Sequence, residues 1–247
     1  MSEQNRYDEL LLRYDKALAG IGKTEKEAGR EGVRLVVAAK YATSEELDAL
    51  CEQRGLDVIG ENRTDTLIEH FEGMKNRVEI HFIGHLQRNK VKSIIDKVSL
   101  IHSLESLLLA EEIEKQSAKR GIKTKVLAEI NIGREESKSG LMPEELADFC
   151  LELEKYPHIE LCGFMTMAPK CEHEEEYYRY FKETYDIGCD VWKSTLGKDG
   201  EPIFSMGMSE SYRPAIRAGA SIVRLGSSVF GRTTADMMNL KKLNKDI

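Results

Sequence analysis

Arg34-Leu-Val-Val-Ala-Ala-Lys40 decides how the rest of the chain is read. After Arg34, residues 35–39 are all apolar and complete a run of strand length, and Lys40 stands at its carboxyl end. Such a run without polar alternation reads as a strand buried on both faces, as in a parallel sheet. A lysine held half out of water there loses some preference for its charged form, which suits a Schiff-base amine. The competing reading is a lysine whose stem snorkels past the strand end.

Working outward, the same rhythm recurs almost to the end of the chain. Strand-like runs fall at Arg34–Ala39, Leu56–Ile59, Glu79–Ile83, Val98–Ile101, Lys125–Ile130, Ile159–Phe164, Pro202–Ser205 and Ser221–Leu225. Helical stretches lie between them, with start signals at Thr43-Ser-Glu-Glu, Ser103-Leu-Glu-Ser and Pro143-Glu-Glu-Leu. Alternating strands and helices imply parallel pairing through right-handed crossovers. Eight repeats in about 250 residues point to an α/β fold of the (β/α)8 TIM-barrel type. Tyr7, Leu10, Leu11, Tyr14, Leu18 and Ile21 are spaced as one face of an extra N-terminal helix, about 5–30, before a barrel of about 33–235. With no linker-like tract or repeat, residues 1–247 read as a single domain.

Composition narrows the function classes. The net charge is −7 with 32% charged residues, which argues against a nucleic-acid footprint. The five cysteines include no C-x-x-C pair, against a disulfide framework or a thiolate zinc site. There is neither a signal-like apolar segment at the start nor a run long enough for a membrane span. A cytoplasmic location is expected.

In a barrel of this kind the functional residues sit at the carboxyl ends of the strands. The segments there are Lys40, Gly60-Glu-Asn62, Gly84-His85-Leu-Gln-Arg-Asn89, Asn131, Met165-Thr166, Ser205-Met-Gly-Met-Ser209 and Arg224-Leu-Gly226-Ser227-Ser228. The loops after strands seven and eight commonly hold phosphate. Two Gly/Ser clusters at those positions fit that use, although Ser209 also suits an N-cap for a helix through Ile216. Arg224 lies within an apolar run and needs a partner. That partner is a carboxylate in the barrel wall or an acceptor such as a ring nitrogen.

Other patterns are set aside. Gly20-Ile-Gly22-Lys23-Thr24 has Ala17 where a P-loop requires its first glycine, and a helix precedes it. His81 and His85 have metal-like spacing without the accompanying glutamate, and His81 reads as a satisfied polar residue on a strand. Met165, Met167, Met206 and Met208 read as packing against something flat.

Lys40, Gly60-Glu-Asn62, His81-Phe-Ile-Gly84-His85-Leu-Gln-Arg-Asn89-Lys90, Ser137-Lys-Ser-Gly140, Gly163-Phe-Met165, Ser205-Met-Gly-Met-Ser209 and Arg224-Leu-Gly226 through Phe230-Gly231 occur in an order that resembles the YggS/PROSC family. These are pyridoxal-phosphate homeostasis proteins. The resemblance covers about Arg34 to Arg232. It implies a barrel similar to the alanine racemase N-terminal domain, with pyridoxal 5′-phosphate (PLP) as cofactor. By the same resemblance Lys40 carries the Schiff base, and Ser205, Ser209, Gly226 and Ser227 lie in the phosphate loops. Arg224 faces the ring nitrogen, Asn62 lies near the ring hydroxyl, and Met165 belongs to the site. Two positions depart from the family pattern: Ala39 where a serine often stands, and Ser211 where an acidic residue often stands.

Three functions follow for comparison. The first is a PLP-binding protein acting in intracellular PLP homeostasis without robust turnover, with PLP-dependent apo-enzymes as partners. The second is a PLP-dependent amino-acid racemase of low activity. The third, from the barrel alone, is a lysine-dependent aldolase. An arginine cannot give up its proton, so facing the ring nitrogen it leaves that nitrogen neutral and weakens the electron sink. The sequence stops soon after strand eight, so no second domain is expected to supply a base or a dimer contact. Binding without efficient amino-acid chemistry, by a monomer, is the expectation.

Overall fold

The computed structural model describes residues 3–40 and 42–231. The expected barrel limit near 235 and the rest of the chain to 247 lie outside those residues. Eight strands form a closed parallel barrel in chain order, with the last paired to the first. They are β1 (Arg34–Ala38), β2 (Val58–Glu61), β3 (Glu79–Phe82), β4 (Leu100–Leu104), β5 (Thr124–Ile130), β6 (Ile159–Thr166), β7 (Ile203–Ser205) and β8 (Ile222–Leu225). The helices are α1 (Glu3–Ala28), α2 (Ser44–Arg54), α3 (Thr64–Gly73), α4 (Arg88–Ile94), α5 (Leu107–Arg120), α6 (Leu146–Leu153), α7 (Glu174–Asp190), α8 (Tyr212–Ala218) and α9 (Ser227–Phe230). This is the TIM barrel that the alternating pattern predicts, with α1 as the added N-terminal helix.

Side-chain alternation divides the apolar residues into two bodies. Leu35, Val37, Ile59, Phe82, Ile101, Val126, Phe164, Val223 and Leu225 belong to the large cluster between strands and helices. Val36, Val58, Ile83, Leu100, Leu127, Met165 and Ile222 form a second, smaller cluster that fills the barrel. Residues two positions apart on a strand share a face. Ala38, Gly60, His102, Glu129, Ser205 and Arg224 follow interior positions by two, so polar groups gather on the carboxyl side of the apolar plug.

Local chemistry accounts for the element ends. Thr43 and Glu46 form the predicted capping box of α2: Glu46 N donates to Thr43 Oγ1 at 3.3 Å, and Thr43 N to Glu46 Oε2 at 3.0 Å. Two strands are displaced at both ends from the sequence reading. β2 starts later and runs on through Glu61, a charged residue that pattern alone assigns to a loop. β4 also starts later and runs through His102 and Ser103, so α5 is capped by Ser106, whose hydroxyl accepts from Leu109 N at 3.3 Å, and not from the Ser103 start signal. In both cases a polar residue inside a strand is satisfied by, or enclosed in, tertiary structure that a local pattern does not contain.

Candidate functional site

β1 ends at Ala38, and Lys40 follows in a turn where it is exposed. The expectation of a half-buried lysine therefore gives way to one standing at the barrel mouth. Its turn is braced from below. Ala39 is fully enclosed and donates its N–H to Gly60 O at 2.9 Å, while Ala42 N donates to Ala39 O at 2.8 Å. His70 of α3 donates from Nε2 to Ala42 O at 3.3 Å and from Nδ1 to Glu61 Oε1 at 2.6 Å. Burial alone would push His70 down, but the Glu61 carboxylate outweighs it and raises the imidazole above its ordinary value.

Asn62 follows β2 directly. Its backbone packs so closely against Gly84, after β3, that a Cβ on Gly84 would collide with the Asn62 carbonyl oxygen and Cα. Gly226, at the end of β8, approaches β1 in the same way, and a Cβ there would come 3.1 Å from Ala38 O. The ends of β8, β1 and β2 are neighbours in the barrel, so Lys40, Asn62, Gly226 and Ser227 share one stretch of its rim.

The two Gly/Ser loops are joined. Ser209 Oγ lies 3.1 Å from Ser228 Oγ and accepts from Ser228 N at 3.3 Å. Ser209 is thus not the cap of the following helix. α8 begins at Tyr212, and Ser211 occupies the cap position, with its hydroxyl accepting from Met208 N at 3.2 Å. Gly207 has φ +92°, a conformation that disfavours other residues, and its carbonyl accepts from Arg224 N at 3.0 Å.

Arg224 points into the barrel and is 4% exposed. Its Nη1 donates to Ser205 O at 2.8 Å and to Ser205 Oγ at 2.6 Å, and its Nη2 donates to Thr166 O at 3.1 Å. Among the described residues no carboxylate is hydrogen-bonded to it. Burial lowers its pKa to about 10, with Glu129 acting in the opposite sense. Ser205, expected in the phosphate loop, instead has a fully enclosed side chain that links Arg224 to His102 Nδ1 at 2.8 Å. Met165 is 1% exposed and belongs to the apolar plug, paired in register with Glu129 on one side and Ser205 on the other.

Several site-side residues are missing from the sequence reading. His102 and Glu129 are interior-facing polar residues in apolar runs, the same signal that singled out Arg224. Burial and the neighbouring Glu105 raise Glu129 to about 7, against a lowering by Arg224. Glu105 pairs through Oε1 with His85 Nδ1 at 2.9 Å, and its buried Oε2 meets no hydrogen-bond partner among the described residues. His81 and His85 diverge, one into the barrel and the other to the exposed rim. The methionines split as well: Met165 and Met206 are buried, whereas Met167 and Met208 are exposed at the mouth.

The arrangement comprises an exposed lysine, a bound pair of Gly/Ser loops and a buried donor-only guanidinium around one barrel mouth. The model of the alanine racemase N-terminal domain family matches residues 25–234. A pyridoxal phosphate homeostasis protein of Aquifex aeolicus is 38% identical over 224 residues, covering 89% of this chain and 96% of that protein. An unknown protein from Bifidobacterium adolescentis, solved by crystallography, is 31% identical with a TM-score of 0.84, covering 93% of this chain and 98% of its own. PipY of Synechococcus elongatus, solved with PLP bound, has a TM-score of 0.74 at 22% identity, covering 84% and 99%. Sequence and fold together establish that this chain belongs to the pyridoxal phosphate homeostasis proteins, built on the alanine racemase N-terminal domain.

Proposed function

We propose that this chain binds pyridoxal 5′-phosphate at the barrel mouth and holds it reversibly as a Schiff base on Lys40, serving intracellular PLP homeostasis rather than fast amino-acid turnover. The observation that carries this reading is the environment of Arg224. Its guanidinium is buried, engaged among the described residues only by oxygen acceptors, and able only to donate. A neutral pyridine nitrogen fits such a group, and a protonated one does not.

The other residues fit the same ligand. Ser209, Ser227 and Gly226, on loops tied together through Ser228, offer hydroxyls and close backbone approach to a phosphate. Asn62 follows β2 on the same stretch of rim as Lys40, where it would meet the ring hydroxyl, and Met165 would line the interior beside Glu129 and Ser205. Ser205 serves through Arg224 rather than by touching phosphate. When bound, the cofactor supplies an aldehyde that condenses with a lysine amine and a ring that withdraws electrons. A donor-only arginine keeps that withdrawal weak, which favours storage over racemisation. The names of the homeostasis relatives and PLP in PipY support the assignment. Among the described residues no helix is long and apolar enough to cross a membrane. Recipient apo-enzymes would meet the ligand at the exposed mouth.

The test is spectroscopic. Protein mixed with PLP should develop a visible absorption band, and borohydride should fix the cofactor's mass on the peptide containing Lys40. Absence of both band and adduct would end the proposal. A Lys40→Ala variant retaining the adduct at full yield would move the tether elsewhere. Amino-acid turnover at ordinary enzymatic rates would overturn the homeostasis role.

A further inference from the structure

A line of hydrogen-bonding groups runs through the barrel from mouth to base. Arg224 Nη1 reaches Ser205 Oγ at 2.6 Å, and Ser205 Oγ meets His102 Nδ1 at 2.8 Å. His102 Nε2 meets His81 Nδ1 at 3.0 Å, and His81 Nε2 lies 3.5 Å from Glu79 Oε2. Glu79 opens β3 at the opposite rim, is 47% exposed, and pairs there with Arg34, which also holds Asp57. His81 and His102 are 3% and 0% exposed.

The two ends fix the direction of every link. Arginine can only donate, so Ser205 Oγ accepts from Arg224 and is free to donate its own proton to His102 Nδ1. A neutral His102 then carries its proton on Nε2 and donates to His81 Nδ1. His81 likewise carries its proton on Nε2, facing Glu79. At that end Arg34 holds the Glu79 carboxyl below its ordinary value, as an ionised acceptor. Reversing the line would aim a His81 lone pair at a carboxylate and leave the Ser205 proton without this acceptor. Burial keeps both rings neutral: His81 falls to about 4, and His102, also beside His81 and Arg224, falls well below its ordinary value.

We propose that His102 and His81 are positioning residues for the cofactor site, forming with Ser205 a one-way hydrogen-bond chain, oriented at its far end by the Glu79 carboxylate 3.5 Å from His81 Nε2, that locks the Arg224 guanidinium against the ring nitrogen. The proposal rests on the PLP reading above. Aligned hydrogen bonds polarise one another, so the chain makes Ser205 Oγ a better acceptor for Arg224 than an isolated hydroxyl.

The test has two arms on the full-length protein. Long-range 1H–15N NMR of 15N-histidine-labelled protein, without cofactor and near neutral pH, should find His81 and His102 both as the neutral Nε2–H tautomer. An Nδ1–H form or an imidazolium at either residue overturns the chain. In the second arm, His102→Phe should weaken PLP binding about tenfold and shift the visible band. His102→Gln, which can accept from Ser205 and donate to His81, should stay within about twofold of the wild type. If His102→Phe does not fold, Ser205→Ala replaces it, with the same expected loss. Wild-type binding with an unchanged band and affinity in the substituted protein overturns the inference alone. A wild type that binds no PLP overturns the functional reading instead.

Discussion

The Ser209 hydroxyl accepts the backbone N–H of Ser228 at 3.3 Å and lies 3.1 Å from the Ser228 hydroxyl. The loops after β7 and β8 consequently behave as one unit. This tie is exposed, so it contributes little to global stability. Its value is in holding two donor-rich loops at a fixed separation.

Replacing Ser209 by alanine should leave the melting temperature almost unchanged while weakening PLP about tenfold, the loss expected of a hydrogen bond to a charged ligand. Pyridoxal without its phosphate should bind the variant and the wild type equally. Parallel equilibrium titrations with the two ligands check this. Equal losses for both would place Ser209 away from the phosphate.

The contact of Gly84 with the Asn62 backbone predicts a steric effect. Gly84→Ala drives a Cβ into a main-chain neighbour that cannot rotate away, and should cost about 1–3 kcal/mol. Gly22→Ala is the matched comparison. It lies inside α1 with no atom within 4 Å of the added Cβ, and should stabilise by about 0.5–1 kcal/mol through helix propensity. Urea melts of both variants decide the point.

Ser103 and Ser106 offer a second pair. The Ser103 hydroxyl is buried in β4 and has no hydrogen-bond partner among the described residues, so alanine there should be neutral or stabilising. Ser106 caps α5 and its loss should cost about 1 kcal/mol. The reverse order in thermal unfolding would restore Ser103 as the helix start.

Glu129 gives a pH signature. Its folded pKa of about 7 stands above the ordinary 4.5, because burial and Glu105 outweigh Arg224. A raised carboxyl contributes stability that is fully present below pH 4.5 and is lost as pH rises through 7. Glu129→Gln escapes that loss. Its stability relative to the wild type should therefore increase between pH 5 and pH 8, by on the order of 2–3 kcal/mol. A pH-independent difference in paired melts would refute the shift.

Much of the barrel was legible because its signals are local. Thr43 and Glu46 lie three residues apart, and the β1 run carries its own burial pattern. The site was legible only in part. Arg224 stood out as a charge in an apolar run, but its partners are carbonyls and a hydroxyl from β6 and β7. Ser205 and His102 meet across 103 residues of chain, and no spacing rule links them. Lys40 lost its expected burial because β1 stops two residues before it. Ser209 suits both a phosphate loop and a helix cap, because a serine before a helix is usually a cap. Its contact with Ser228, in the first turn of α9, assigns it elsewhere.

The packing of α1 carries a consequence for synthesis. This helix lies against α2, α8 and α9, with Gly20 in close approach to the Tyr212 hydroxyl and Gly231 beside the Arg13 guanidinium. α8 and α9 emerge from the ribosome roughly 200 residues later, a delay of about 10–40 s at ordinary elongation rates. Throughout that interval Leu10, Leu11, Tyr14, Ala17 and Ile21 form a sticky stripe without most of its cover. The seam between β8 and β1 closes last, so the same late event finishes the barrel, shields the nascent helix and first brings the serine loops beside Lys40.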